Sequence, residues 1–471
     1  MSVITPGEFA RYLNACKPPN GWGKSIIDPP AVALSGGPDS LCLLQLLRKH
    51  AVASPSLVRM LRSITIDHGL QLTSRASAQR THARALAMGV PNVILPAAWD
   101  TNPTLGSTKT AIEESARKAR YKALWAGLWK DCSLEETQTL MFAHHADDQL
   151  ETVIMRTMRG TNTYGMGGMR SVRRWGITEQ GMRTWICRPL LGVSKERILA
   201  TCEADNIEYE QDVTNFMPDL TVRNAIRHAL SRLEQPPADE NIRRAIVRIR
   251  ALAGGVGGIE DMRAYVGRMA DRVVRVDQEV DSYIRTHTRR SPPSTFLLVR
   301  PDPPTSLPSD VQVALIHRIL RYVSPHPWGS PESEAGRRSE SIERIAQHAF
   351  RSTENIQPFT AGAQVLWTPV AIRPDGSIRR RTDKLNQGWL ASRQPPLARA
   401  KSALTVEASP GTELLWDNRF LVRIPARENQ CRVLIKPQGR LVLPEIVKVL
   451  KNGTHKQTEC ETRFVRTLDA I

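Results

Sequence analysis

Aromatic residues make up only 5% of this 471-residue chain, no apolar run approaches a bilayer span, and the seven cysteines include no Cys-x-x-Cys pair. Each shortage excludes something. Few aromatic faces disfavour a stacking platform for long single strands of nucleic acid. Spanning a bilayer takes roughly 18 consecutive apolar residues, and the N-terminus lacks the apolar core of a secretory signal, so a soluble protein with no membrane partner is expected. The cysteines at 16, 42, 132, 187, 202, 431 and 460 are odd in number and scattered. That pattern argues against a disulfide framework or an ordinary zinc site and suits a reducing compartment. Acidic residues are also in deficit, 47 against 65 Lys+Arg, for a formal net charge of +18 and a pI near 10.0. Residues 1–233 hold 28 basic against 21 acidic side chains, and residues 234–471 hold 37 against 26. A nucleic acid lying across both parts is the simplest partner for such an excess, although a basic solvated surface would also carry it.

The length allows two or three domains, each with its own core. Strand-like runs at Ala31–Leu34, Ser63–Ile66, Asn92–Leu95, Leu140–Ala143 and Thr184–Cys187 alternate with helical patterns at Thr73–Met88, Lys109–Lys130 and Ala146–Arg159. This order predicts an α/β fold with a doubly wound, mostly parallel sheet, whose ligands bind at the carboxyl ends of the strands. A composition break at Glu234-Gln235-Pro236-Pro237 closes a first domain over 1–233. A mainly helical, Arg-rich linker domain is expected over 238–352, interrupted by Gly254-Gly255-Val256-Gly257-Gly258. The proline clusters at Ser291–Ser294, Pro301–Ser309 and Ser324–Glu332 read as linkers. Helices are expected at Val311–Tyr322 and Ser339–Phe350, and over 353–471 a small β-rich, α+β domain that is a candidate for tRNA binding.

Three polar strings fall at predicted strand ends. The first, Ser35-Gly36-Gly37-Pro38-Asp39-Ser40, lies between a strand and a helix. Its glycines let backbone N–H groups approach an anion, the helix start adds partial positive charge, Ser40 adds a hydroxyl, and Asp39 can hold Mg²⁺. The Gly-Lys-Ser/Thr ending of a Walker loop is missing, and the string instead resembles the pyrophosphate loop of ATP pyrophosphatases, which implies cleavage between the α- and β-phosphates. Asp67-His68-Gly69 is the second string, and His144-His145-Ala146-Asp147-Asp148-Gln149-Leu150-Glu151 the third. On a helix beginning near Ala146, Asp148 and Glu151 share a face. Paired carboxylates there suit an ammonium, a metal or proton removal, or simply complement the helix dipole. Arg117 and Arg120 on one helical face can hold phosphates or pair with the neighbouring glutamates. Arg223, Asn224 and Arg227 form a basic, amide-bearing face suited to a nucleic-acid backbone.

These strings, with Ile66–Leu70, Ala116-Arg117-x-x-Arg120-Tyr121, Arg159-Gly160, Arg188-Pro189-Leu190-Leu191 and Arg223-Asn224-x-Ile226-Arg227, occur in the order found in tRNA(Ile)-lysidine synthetases. Over about residues 30 to 230 the chain resembles that family. The resemblance implies a Rossmann-like PP-loop ATPase domain and a ligase reaction in tRNA processing. ATP would adenylate C2 of the wobble cytidine of a CAU-anticodon isoleucine tRNA, and the ε-amine of free L-lysine would then attack, expelling AMP. It further implies an ATP site at Ser35, Gly36, Gly37, Pro38, Asp39, Ser40, Asp67, His68, Arg120, His144 and His145, with Mg²⁺ on Asp39. Catalytic roles would fall to Asp39, Arg117, Asp148 and Glu151, with lysine recognised by Asp148 and Glu151, and tRNA contacts to Arg223, Asn224 and Arg227. One departure is clear: in the family an acidic residue closely follows the Asn of an Asp-x-x-Asn string, whereas here Phe216, Met217 and Pro218 separate Asn215 from Asp219.

Two rivals stand beside this reading. A tRNA thiolase of the same class would activate a C2 oxygen identically, but thiolases resemble one another in using paired cysteines or an iron-sulfur cluster. A non-catalytic tRNA-binding relative would be expected to lack Asp39, Asp148 or Glu151, and all are present. The first 24 residues carry Arg11, Lys17 and Lys24 against Glu8, a thin transit-like signal that points to the mitochondrion, with the cytoplasm as the alternative. The oligomeric state has no signature in the sequence.

Overall fold

The computed structural model describes residues 2–19, 22, 30–53, 61–69, 73–99, 109–129, 138–161, 164–176, 181–210, 217, 219–235, 237–255, 257–287, 291–299, 307–337, 339–351, 357–373, 375, 377–380, 388–397, 401–426, 432–449, 454–458 and 460–470. They form two compact units, 1–174 with 183–273, and 175–182 with 274–470. The first unit begins with α1 (Pro6–Ala15), capped by Thr5 and Glu8. There follow β1 (Ala31–Ala33), α2 (Pro38–Ala53), β2 (Arg62–Asp67), α3 (Ser74–Ala87), β3 (Asn92–Pro96), α4 (Lys109–Trp129), β4 (Gln138–Met141) and α5 (Ala146–Met158). Next come β5 (Val172–Arg174), β6 (Thr184–Cys187), α6 (Lys195–Ala204), α7 (Val222–Leu230), α8 (Glu240–Leu252) and α9 (Ile259–His287).

The sheet runs β3-β2-β1-β4-β6-β5. Its first five strands are parallel, and β5 pairs antiparallel with β6 at the edge. Strands covered on both faces should be apolar throughout rather than alternating, and β6 is buried at every position. Strand order reverses beside β1, which has β2 on one side and β4 on the other, so the crevice for a ligand opens at their carboxyl ends. The sequence places its glycine loop after β1 and its twin-histidine string after β4, at this reversal.

Two cores fix that edge. Leu41, Leu43, Leu44 and Leu47 of α2 pack with Phe9 and Leu13 of α1 and Ile198 and Cys202 of α6. Each leucine so buried contributes about 1.5–3 kcal/mol of hydrophobic stabilisation. Leu150, Val153 and Ile154 of α5 pack with Ile226 of α7, Ile242, Ile246 and Ile249 of α8, and Met262 and Val266 of α9. The compact units therefore divide inside α9, whereas composition draws its break at 234–237. Strand four covers 138–141 rather than 140–143, and α1, β5 and α6 are elements the periodicity did not mark.

In the second unit, β7 (Phe296–Val299), α10 (Ser309–Val323), α11 (Ser339–Ala346), β8 (Phe359–Thr360), β9 (Val365–Ile372), β10 (Ile378–Arg380) and β11 (Gly388–Arg393) come first. The remaining strands are β12 (Val406–Ala408), β13 (Glu413–Trp416), β14 (Phe420–Arg423), β15 (Arg432–Gln438), β16 (Leu443–Val449), β17 (His455–Gln457) and β18 (Glu461–Phe464). They form antiparallel sheets ordered β10-β9-β11-β7 with β8 on β9, β12-β15-β16-β17, and β13-β14-β18. Two of the proline clusters are not linkers. Ser324 is fully buried, Trp328 is nearly so, and Ser294 is buried at the base of β7. Trp328 lies beneath the guanidiniums of Arg321 and Arg466, which makes a proline-rich turn part of the core. Among the described residues no helix is long and apolar enough to cross a membrane.

Candidate active site at the carboxyl edge of the parallel sheet

The turn after β1 is built around Gly36, whose φ of +82° favours glycine and whose added Cβ would lie 2.1 Å from Thr81 Oγ1. Ser40 Oγ closes the loop, accepting the Ser35 N–H at 3.2 Å and donating to the Gly37 carbonyl at 3.1 Å. Pro38 and Asp39 open α2, so the helix N-terminus faces the turn. The loop is braced from outside. Glu210 donates its N–H to the Gly36 carbonyl at 3.1 Å, while its carboxylate takes Ser77 at 2.7 Å, Arg84 at 3.0 Å, and Arg80. The Arg80 guanidinium, with Ser77 and Arg84, holds Glu210 down at about 2 against a smaller upward push from burial.

Asp39 meets two partners. Lys195 Nζ, at the start of α6, donates to its Oδ1 at 2.6 Å, and His145 Nε2 lies 3.7 Å from the same oxygen. His145 is the N-cap of α5. Its N–H donates to Asp148 Oδ2 at 3.0 Å, its Nε2 lies 3.5 Å from that oxygen, and its Nδ1 accepts the Asp147 N–H at 3.3 Å. Burial pushes the imidazole down, but the carboxylates of Asp148, Asp147 and Asp39 outweigh it and raise the pKa. Asp148 is lowered: His145 and Arg223 overcome the upward push of burial.

His144 behaves oppositely. Burial and then Arg188 drive it well below its ordinary value, and its Nδ1 accepts from Arg188 Nε at 3.1 Å, so the ring is neutral. His144 stacks on Phe142 at 5.4 Å, Phe142 on Tyr121 at 5.7 Å, and the Arg117 guanidinium sits 5.0 Å over Tyr121. Burial pushes Tyr121 up, yet Arg117, Arg173, Arg188 and Arg120 bring its phenol down to about 8. Burial and Arg173 lower Arg188 itself to about 10. This wall carries surplus positive charge, the environment a phosphate needs.

Glu151 is 1% exposed and does not stand open beside Asp148. Arg227 donates to both of its oxygens, at 2.9 and 3.2 Å, and Arg223 Nε lies 3.4 Å away. Burial, with the Asp148 carboxylate, pushes Glu151 up against these guanidiniums. Thus Arg223 and Arg227, expected at a nucleic-acid backbone, here turn inward to a carboxylate. Asn224 serves the start of α7, its N–H on Thr221 Oγ1 at 3.1 Å and its Nδ2 on the Met217 carbonyl at 2.9 Å. Asp67 and His68 end β2 at the same edge, where Asp67 Oδ1 accepts the Gly69 N–H at 3.1 Å and the His68 carbonyl accepts from Trp99 Nε1 at 3.0 Å. The Asp-x-x-Asn string at 212–215 lies outside the described residues.

Three contributors escaped the sequence reading. Arg188 stood in a recognised string without a role, and Lys195 follows it by seven positions. Arg263 on α9 had no local signal: it donates to Asp147 and, at 2.9 and 3.1 Å, to Glu196. Asp147 in turn accepts the Lys195 N–H at 3.0 Å. Asp147 is held well below the usual carboxylate range by His145 and Arg263, against burial.

Comparison with known proteins places this geometry. Residues 25–234 match the PP-loop domain family. A tRNA(Ile)-lysidine synthase of Alkalilimnicola ehrlichii is 34% identical over 227 residues, covering 48% of this chain and 44% of that protein. That of Methylobacterium nodulans is 36% identical over 209 residues, 44% of this chain and 54% of its own length. The chain thus spans about half the length of these relatives, while one from Bradyrhizobium sp. is 29% identical over 355 residues, 74% of this chain and 90% of that protein. A solved structure, the U34-tRNA thiolase NcsA of Methanococcus maripaludis, covers 55% of this chain and 85% of its own at 15% identity and a TM-score of 0.34, too distant to bear on the argument. Residues 25–234 thus match a PP-loop domain, and over much the same stretch the chain is similar to curated tRNA(Ile)-lysidine synthases.

Proposed function

We propose that this protein is an ATP-dependent carbon–nitrogen ligase that makes lysidine at the wobble cytidine of a CAU-anticodon isoleucine tRNA. One observation carries the reading: the His145 imidazole stands between Asp39 of the glycine loop, at 3.7 Å, and Asp148 of the carboxylate string, at 3.5 Å. A nucleotide cradle and an ammonium-binding carboxylate therefore share one sheet edge.

In the first step the cytidine O2 attacks the α-phosphorus of ATP, the bond to the bridging β-oxygen breaks, and pyrophosphate leaves. Loop N–H groups, the start of α2 and Lys195 stabilise the departing charge. Arg117, Arg120 and Arg188 suit the phosphate that stays. Mg²⁺ would fit on Asp39, whose Oδ2 has no partner among the described residues, with phosphate oxygens and water completing its shell. It would neutralise charge on the pyrophosphate. Among the described residues no group of three or more ligating side chains forms a dedicated metal cage, in keeping with an ion bound largely through substrate.

In the second step the lysine amine attacks C2, the C2–O bond breaks, and AMP leaves with that oxygen. A free lysine side chain has a pKa of about 10.4, so it arrives as an ammonium that must lose a proton. Asp148 Oδ1 has no partner among the described residues and would take that ammonium, while Glu151 is already paired. Orientation at one edge adds an effective molarity of about 10⁵ M or more.

The thiolase alternative finds less support, since the curated relatives are lysidine synthases; Cys42 and Cys202 lie in contact but are buried in the apolar core, and Cys132 and Cys431 lie outside the described residues. The curated relatives are bacterial proteins and lend nothing to the mitochondrial expectation. Incubation with a CAU-anticodon tRNA, ATP, Mg²⁺ and lysine, followed by mass spectrometry of the wobble nucleoside, tests the proposal. A lysine-sized gain supports it, and a gain that requires a sulfur donor instead overturns it in favour of the thiolase.

A further inference from the structure

Among the described residues of the first unit two pairs of thiols touch, and the proposed reaction uses neither. Cys42 of α2 and Cys202 of α6 are hydrogen-bonded to each other in the core beneath the glycine loop. Cys202 Sγ also donates to the Pro38 carbonyl at 3.5 Å, and that carbonyl belongs to the helical turn that closes on Cys42. The two helices are tied on either side of the thiols. Lys195 Nζ donates to Asp39 Oδ1 at 2.6 Å at their starts, and Lys49 Nζ donates to Asp205 Oδ1 towards their far ends. The second pair is Cys16 and Cys187, with Cys187 Sγ donating to the Cys16 carbonyl at 3.2 Å and Cys16 Sγ to the Leu13 carbonyl at 3.3 Å.

Access separates the two pairs. A cavity of ≈ 850 Å³ lies along α6, and Cys202 lines it with Leu199, Glu203, Ile207 and Tyr209. Cys42, Cys16 and Cys187 are fully buried and do not line it. The thiol contact, and then burial, pushes Cys42 up, while the same contact lowers Cys202, so the thiol on the cavity is the readier nucleophile. A small oxidant entering there meets one sulfur with a second directly behind it.

We propose that Cys202 and Cys42 form an oxidation site for hydrogen peroxide, closing to a disulfide that weakens ATP binding at the adjoining glycine loop. The Cys202 thiolate attacks one peroxide oxygen, the O–O bond breaks, and the departing hydroxide takes up the thiol's proton as water, leaving a sulfenic acid. The Cys42 sulfur then attacks the Cys202 sulfur, the S–O bond breaks, and the hydroxyl leaves with the Cys42 proton as a second water. Two thiols thus lose two electrons, and one peroxide becomes two waters. The product has no S–H left for the Pro38 carbonyl, and an S–S bond of about 2.0 Å draws α6 onto α2 beside Asp39 and Lys195. This effect depends on the glycine loop being the nucleotide site, and not on lysine or tRNA as substrates.

Peroxide treatment of the reduced full chain, followed by catalase, alkylation and non-reducing peptide mapping, tests it. A Cys42–Cys202 cross-linked peptide should appear and dithiothreitol should remove it, with Cys16 and Cys187 recovered as thiols. The Kd for ATP, by equilibrium dialysis, should rise at least fivefold on oxidation and return on reduction. Cys42→Ala should stop at a dimedone-reactive sulfenic acid on Cys202, and Cys202→Ala should keep its ATP affinity through peroxide treatment. Mapping and reversal in the unsubstituted protein decide the outcome even if a variant does not fold. Cys42 and Cys202 both recovered as thiols, a cross-link formed at Cys16–Cys187 instead, or equal ATP affinity in the two forms would overturn the proposal. Reduced protein that binds no ATP would instead refute the nucleotide site, with the cross-link itself still decided by mapping.

Discussion

At the scale of single residues, the proposed reaction divides the carboxylates of the site between two tasks. In the proposed reaction Asp39, paired with Lys195, would serve the phosphates, and Asp148, beside His145, would serve the ammonium. Asp39→Asn should cut pyrophosphate release by about 10²-fold or more, the usual cost of losing one electrostatic stabiliser of a leaving group, here the Mg²⁺ that Asp39 would hold. Asp148→Asn should instead raise the KM for lysine at least tenfold and leave adenylation within a few fold, measured by pyrophosphate release and lysine incorporation on the same tRNA. Equal loss of both steps in both variants would contradict the division. Glu210 gives a test of the loop brace. Its folded pKa, about 2, lies below the ordinary 4.5, so its stabilisation is present above pH 4.5 and is lost as pH falls through the folded value. Glu210→Gln should lower Tm by about 2 °C at neutral pH, and the gap should close between pH 4.5 and 2.

At the scale of elements, the parallel strands and the helices between them were legible because strand runs buried on both faces and longer helices both leave plain periodicities. Thr184–Cys187 fell on its strand without a shift, and Val311–Tyr322 fell within α10. The short helix α6 was not legible: only Ile198, Thr201 and Cys202 face the core, too few for a pattern. Arg263 was invisible for another reason, since its partner Asp147 is 116 positions away in the chain. That ion pair ties α9 to the start of α5, and through Glu196 to α6. Arg263 is therefore a positioning residue. Arg263→Ala should lower kcat about tenfold with less change in the KM for ATP, and should shift the acid limb of the pH–rate profile, because Asp147 would lean more strongly on His145. Arg263→Lys should restore part of the rate, whereas an unchanged profile in Arg263→Ala would remove the positioning role.

For the molecule as a whole, the charge of +18 spread over both parts of the chain makes a salt-dependent polyanion interaction the dominant expectation. Affinity for tRNA should fall linearly on logarithmic axes as salt rises, by about 0.9 per phosphate neutralised on a duplex. A flat dependence between 50 and 200 mM salt, measured by filter binding, would remove the electrostatic argument. The second unit was the least readable part. Proline density at 324–332 suggested a linker, but Trp328, packed under two guanidiniums, pulls that turn inside, and tertiary packing of this kind leaves no local signal. The buried Arg393–Asp417–Arg419 network likewise joins residues whose sequence neighbours say nothing about one another.

The central claim, that one sheet edge spends ATP to join lysine to a cytidine, is tested most directly by stoichiometry. With isotope-labelled lysine, CAU-anticodon tRNA and ATP, the account predicts one lysine bound per AMP and per pyrophosphate released, and neither product without the tRNA. Release of inorganic phosphate in place of pyrophosphate, or AMP formed with no lysine retained on the tRNA, would contradict it.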